Sequence, residues 1–261
     1  MTSADANFLP ARQLLESGVH FGHKARKLNP KMLSYIFGKR NQIHIIDVRQ
    51  TIRNTVKAFH FLRGLAARGE LILFVGTKRQ ARAVVAEQAQ RCGMPYSSER
   101  WLGGTLTNYM TIRSRLQRLE EIERWETDGT MQLFSGKERA SILRQKRKLV
   151  RNLFGIRNLD RLPACLLVVD PTQEEIALAE AQNIGAATVA LIDTDGDPDN
   201  VDIPIPCNDD SMKVIQILLS KLADAILEGR PRPAEGAGEA VAGDVVSSAE
   251  AEAEAEPAEA D

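Results

Sequence analysis

Four groups of residues have types and spacing that bear on chemistry. The first is Val75-Gly76-Thr77-Lys78-Arg79, after the apolar run LILFV. A loop that cradles a nucleotide's phosphates needs several glycines, so that successive N–H groups surround the anion, and a Lys beside Ser or Thr. This segment has one glycine and no Gly-Lys-Ser/Thr. It reads instead as a helix start whose Lys78 and Arg79 can hold an RNA phosphate. The second group is histidine: His20 and His23 sit three apart, with His44 and His60 elsewhere. Such a pair ligates a metal only where carboxylates converge on it. Otherwise the rings pack or donate hydrogen bonds at the base of a loop.

The third group is acidic: Asp193, Asp195, Asp197, Asp199, Asp202, Asp209 and Asp210. The spacing lacks the closing Glu of a calcium loop. TDGDPDN has the composition of tight turns, and Asp209 or Asp210 can cap a helix that starts near Ser211. One metal arrangement follows from order along the chain, with His20, Asp193, Asp209 and Asp210 gathered near the carboxyl ends of strands. Imidazole with carboxylates suits zinc better than magnesium. A divalent ion is thus a candidate, although no cofactor is required. No Ser/His/Asp or Cys/His arrangement is visible from order or spacing, so no catalytic residue is assigned.

The fourth group is basic, and it falls in clusters: Lys24, Arg26, Lys27 and Lys31; Lys39 and Arg40; Lys78, Arg79 and Arg82; Arg144, Lys146, Arg147, Lys148 and Arg151. Clustered cations neutralise phosphates and release counterions, which supplies sequence-independent affinity for nucleic acid. Tyr35, Trp101 and Tyr109 lie near these charges and can stack on unpaired bases. Two plainer readings stand beside these: a solvated helix face for 144–151 and core packing for Trp101.

The elements that must position these residues show in the hydrophobic pattern. Ala11 to Ser17 reads as a short helix closed by Gly18. YIF and IHII, separated by GKRNQ, suggest a hairpin. Ile52, Val56, Phe59 and Leu62 recur at helical spacing. LILFV, CLLVVD, TVALID and IPIP are short apolar strands with helical segments between them. Such alternation predicts an α/β fold, a mainly parallel sheet with helices on both faces. The body covers 1–108 and 155–233. Between its halves, 109–154 carries Ile112, Leu116, Leu119, Ile122 and Trp125 as one stripe, and Ile142 with Leu149 and Leu143 with Val150 as a second. Two stripes joined by TDGT predict an inserted antiparallel helical hairpin, a coiled-coil arm.

Composition bounds the partners. Residues 1–160 hold 29 Lys+Arg against 13 Asp+Glu, whereas 161–261 hold 5 against 22, so the formal charge of −1 hides a strongly basic first half. That asymmetry points to nucleic acid and an acidic tail. Residues 234–261, rich in Ala, Gly and Glu, lack the apolar content to offset their ordering entropy and read as a disordered acidic tail. No apolar run is long enough to span a bilayer, and the N-terminus has no secretion-signal pattern. Three widely spaced cysteines fit reduced thiols and a cytoplasmic location.

The motifs GVHFGH (18–23), NPKM (29–32), YIFGKRNQIHIID (35–47), ILFVGTKRQA (72–81), RWLGGTLTN (100–108), VVDP (168–171), DTDGDPD (193–199) and IPCNDD (205–210) occur in this order. Together they closely resemble the bacterial and organellar small-subunit ribosomal protein two family, from about residue 10 to 230. The resemblance implies a flavodoxin-like α/β domain with a protruding helical hairpin. It also implies contact with small-subunit rRNA, neighbouring small-subunit ribosomal proteins and the large mRNA-binding ribosomal protein one. Departures are Ile205-Pro206-Cys207-Asn208, where small residues are more usual, and the Ala/Glu-rich tail. The candidate RNA-binding set is Lys24, Arg26, Lys27, Lys31, Lys39, Arg40, Lys78, Arg79, Arg100, Trp101, Asn108, Arg144 and Arg147. Two other classes share the pattern: a nucleotide-binding enzyme on the same fold, and a non-ribosomal interaction protein using the arm and tail.

Overall fold

Five parallel strands form the centre of the computed structural model, which describes residues 9–230. The acidic tail inferred from composition lies outside the described residues. The strands are β4 (Ile72–Val75), β5 (Tyr96–Ser97), β6 (Cys165–Val169), β7 (Ala187–Ile192) and β8 (Ile203–Pro206). Their spatial order, β5-β4-β6-β7-β8, is the 2-1-3-4-5 arrangement of flavodoxin-like sheets. Alternation along each strand divides the core in two, because successive side chains point to opposite faces. Ile72, Phe74, Leu167 and Val189 enter one cluster, while Leu73, Val75, Leu166 and Ala190 enter the other. Both faces are covered, so the strands read as continuous apolar runs.

On the first face lie α1 (Ala11–Ser17), α2 (Val48–Ala67), α3 (Arg82–Arg91) and α7 (Met212–Gly229). Helix α2 starts at Asp47, whose carboxylate accepts from the Arg49 N–H and satisfies an orphan donor of the first turn. Helix α1 ends at Gly18, at φ 83°, a left-handed cap that frees glycine from the cost another residue would bear. The second face carries α6 (Glu175–Ile184) and the bases of α4 (Tyr109–Thr127) and α5 (Gly136–Leu153). A separate antiparallel sheet, in the order β1-β3-β2, comprises β1 (Phe21–Lys24), β2 (Ile36–Arg40) and β3 (Ile43–Ile46). Its expected β2–β3 hairpin turns at Asn41 and Gln42, both at positive φ, the geometry of a two-residue primed turn.

Helices α4 and α5 lie against each other, joined through a 3₁₀ turn at Thr130–Leu133. A Ser135–Glu138 capping box opens α5. Ile112, Leu116, Leu119 and Ile122 are buried as the α4 stripe requires, and Trp125 packs on Phe134 with Arg118 over its ring. The α5 stripe departs from expectation. Leu143 remains 38% exposed, whereas Ile142, Lys146, Leu149 and Leu153 turn inward. Residues 142, 146, 149 and 153 follow a continuous three-four spacing, and 143 sits about 100° off that line. Leu153 and Ile156 then join Leu116 and Trp101 in the second core cluster.

Candidate nucleic-acid interface and its charge network

The carboxyl ends of β4, β6, β7 and β8 converge on a charged cluster. Lys78 follows β4, and its Nζ lies 2.5 Å from Asp209, 2.7 Å from Asp210 and 3.3 Å from Asp170. Asp170 follows β6 at φ 64°, a strained conformation for a residue other than glycine. Its Oδ1 accepts from the Thr172 and Gln173 N–H groups, which holds that turn. His23 enters from β1, and its Nδ1–H donates to Asp193 at 2.8 Å. The other ring nitrogen is 3.6 Å from Asp210 and 3.8 Å from Asp195. Gly22 permits this approach, since a Cβ there would lie 2.5 Å from Thr194 Cγ2.

Charge and burial set the protonation of the group. The bond to Asp193 outweighs burial and lifts His23 to about 9, so the ring is cationic near neutrality. Burial, reinforced by Asp170 and Asp193, pushes Asp209 up to about 7 against the pull of Lys78. Burial alone would lower Lys78, but Asp209, Asp210 and Asp170 raise it above the ordinary lysine range. The acidic turn also ties down the basic N-terminal segment. Lys31 Nζ sits 2.7 Å from Asp197 and 2.9 Å from Asp199. Thr194 accepts from the His23 N–H at Oγ1 and from the Asn29 N–H at its carbonyl.

Several assignments from the sequence are corrected by this geometry. His20 stands outside the metal arrangement: its ring lies against Phe21, and its buried Nδ1 has no hydrogen-bond partner. His23, on β1, takes its place, with ligand atoms of His23, Asp193 and Asp209 all within 4.8 Å of one another. Asp210 faces Lys78, and the Lys78 ammonium already serves as a cation between Asp209 and Asp210. Neither aspartate caps α7. Ser211 holds the N-cap position without a side-chain cap bond. Lys78 and Lys31, read as phosphate contacts, are held by carboxylates.

Trp101 is the other correction. It is buried, and its indole N–H donates to Glu180 Oε1 at 3.0 Å, so its face is not presented to a base. Glu180 is a residue the sequence reading missed. Its two oxygens also accept from the Gly104, Leu106 and Thr107 N–H groups and from the Thr107 hydroxyl. Burial would raise its pKa, but those donors bring it below the usual carboxylate range. One carboxylate thus shapes the WLGGTLT loop. Tyr109, the second stacking candidate, donates its hydroxyl to the Leu159 carbonyl. Asn108 is exposed, and its Oδ1 accepts from the Thr111 hydroxyl at the start of α4.

The remaining basic candidates face outward. Lys24, Arg26, Lys27, Lys39, Arg40, Arg79, Arg100, Arg144 and Arg147 are exposed. None of these nine side chains takes part in a salt bridge among the described residues. Lys39 and Arg40 close β2 just before the β2–β3 turn, and Lys24, Arg26 and Lys27 occupy the end of β1 and the 3₁₀ turn after it.

The comparisons with known proteins agree with the sheet and its motifs. A family model described as Ribosomal protein S2 matches residues 14–229. The small ribosomal subunit protein uS2 of Rhodopirellula baltica is 52% identical over 219 residues, 84% of this chain and 84% of that protein. With the match spanning the five-stranded sheet, the charged cluster and the paired helices, the chain belongs to the ribosomal protein S2 family.

Proposed function

We propose that the chain is a structural constituent of the small ribosomal subunit whose free cations bind small-subunit rRNA through its phosphates. Family membership supports the ribosomal place. The observation that carries the RNA reading is the separation of cations into two sets: Lys31 and Lys78 held by carboxylates, and the nine outward-facing residues without ion pairs. Exposed unpaired cations give affinity through counterion release and carry no base identity. The role is non-enzymatic, with neighbouring small-subunit proteins and the large mRNA-binding ribosomal protein one as its protein partners. A nucleotide-binding enzyme fits the loop after β4 less well, because the Thr77 N–H that would face a phosphate donates to Glu174 at 2.7 Å. Among the described residues no helix is long and apolar enough to cross a membrane.

The test is a salt series of binding to small-subunit rRNA, with sucrose-gradient sedimentation beside it. Wild-type protein should co-migrate with small subunits. Replacing Lys24, Arg26 and Lys27 by Ala should lower the slope of log affinity against log salt by about 2–3. Affinity should fall alike for RNAs of the same fold and different sequence. Salt-independent binding, or an unchanged slope in the triple variant, would sink the role of this segment.

A further inference from the structure

The point where the strand order reverses holds a further basic feature, which includes Arg100 of the outward-facing set. After β4 the chain passes into α3 on the first face, and after β6 into α6 on the second. Neighbouring strands whose connections diverge leave a crevice at their carboxyl ends, where ligands of open α/β sheets bind. Here that crevice has a volume of about 670 Å³ and is lined by Arg82, Arg100, Lys148 and Arg151, with Glu99 and Glu174. A volume of this size accommodates a single nucleotide.

The charges in it are unequally used. Glu99 accepts from Arg151 at 3.0 Å and lies 3.6 Å from Arg82. Glu174 is buried, accepts from the Thr77 N–H, and is pushed above the usual carboxylate range by burial. Arg100 and Lys148 have no ion-pair partner among the described residues. A neighbouring depression on α5, lined by Arg144 and Arg147, shares Lys148 and Arg151 with the crevice. Cations therefore run without a break from the outer face of α5 to the switch point. Apolar surface lies beside them: Ile176, in the first turn of α6, is 62% exposed on the crevice wall, and Trp101 lines the same crevice.

Phosphate-binding cations next to an exposed apolar side chain are the two halves of nucleotide recognition. We propose that this crevice receives one unpaired nucleotide of the bound rRNA, its phosphate between Arg100 and Lys148 and its base against Ile176. The assignment rests on the rRNA-binding reading above and adds a defined subsite to it. A free mononucleotide offers the same chemistry from another source, and the experiment separates the two.

The three native cysteines are buried, so an Ile176→Cys variant offers one accessible thiol for an aryl-azide photoprobe. Irradiated with small-subunit rRNA, the labelled full chain should cross-link to an unpaired nucleotide. Adding Arg100→Ala and Lys148→Ala should reduce the cross-link at least tenfold. The same pair, without the label, should lower the salt slope of rRNA binding by about 0.7–0.9, the share of one phosphate. Retained rRNA binding with cross-links scattered over paired regions would overturn the subsite and leave the rRNA reading intact. Binding of adenosine 5′-monophosphate that depends on Arg100 and Lys148, without a specific rRNA cross-link, would also overturn it by giving the crevice to a free nucleotide. Absence of any rRNA binding would overturn both readings.

Discussion

Two cation-bearing regions of this chain have opposite fates. Around Lys78 every cation has a counter-charge: one lysine and one histidine stand among five aspartates drawn from three strand ends. Along α5 and the β2–β3 turn, Arg144, Arg147, Lys39 and Arg40 face outward with no salt bridge among the described residues. The first region joins the β1 segment to the α/β body, because His23 and Lys31 belong to that segment and their partners to the 193–199 turn. The second keeps its cations unpaired among the described residues, which is what the proposed rRNA contact requires. Counting basic residues does not separate binding from cohesion; the location of the carboxylates does.

The largest effect that can break this comparison is at Lys78. Its side chain is 13% exposed and Asp209 only 1%. Lys78→Ala would leave buried carboxylates uncompensated, which costs about 3–5 kcal/mol where one partner of a buried pair is removed. Urea denaturation should show that loss, and adding Asp209→Asn to the variant should restore part of it. The salt slope of rRNA binding should stay at the wild-type value. A Lys78→Ala protein of unchanged stability and reduced slope would make Lys78 a phosphate contact and dissolve the distinction.

A smaller effect follows from the pH dependence of the paired region. His23 is faced by Asp193, Asp195, Asp209 and Asp210, and it is raised from 6.5 to about 9. A folded-state pKa above the unfolded one stabilises fully below pH 6.5, and that contribution is lost as pH rises through 9. Asp209, raised from 3.8 to about 7, favours the folded state when protonated; its contribution is complete below 3.8 and lost through 7. Both therefore weaken the fold as pH rises, in adjoining windows. The His23 contribution is about 1–2 kcal/mol once solvent screening is allowed for. Urea midpoints between pH 6.5 and 9 should fall further for the wild type than for His23→Gln, which keeps only the end of the Asp209 loss near pH 7. The same fall in both proteins would remove His23 from the clasp.

The sheet was legible because its strands are buried on both faces, so LILFV, CLLVVD and TVALID declare themselves as apolar runs. Strand β5 was not, since two residues ending in a serine carry no period. The expected metal arrangement differs from the structure at His20 and Asp210 for tertiary reasons: only chain folding decides whether His20 or His23 meets the 193–195 turn and whether Asp210 faces Lys78. Glu180 could have been found. It stands three residues after Ala177 and one before Ala181, on the apolar face of its helix, where a lone carboxylate must meet donors. Which cations are free was beyond the sequence, because Lys31 and Asp197 are 166 residues apart.

The smallest change in stability belongs with a clear change in binding, and it sharpens the comparison from the other side. Arg144 and Arg147 are exposed on α5, away from the inward line of Ile142, Lys146 and Leu149. Replacing both by Ala removes no ion pair and no apolar contact of the core. Exposed substitutions away from such features change stability by about 0.5 kcal/mol or less, and Ala is the better helix former. The urea midpoint of Arg144→Ala/Arg147→Ala should therefore match that of the wild type. If each arginine neutralises one phosphate, the salt slope of rRNA binding should fall by about 1.4–1.8. If the basic face of α5 is only solvated, the slope stays where it was, and the two regions would then differ in burial alone. An equal loss of stability and binding would show that α5 holds the fold through these side chains, as Lys78 does through its carboxylates.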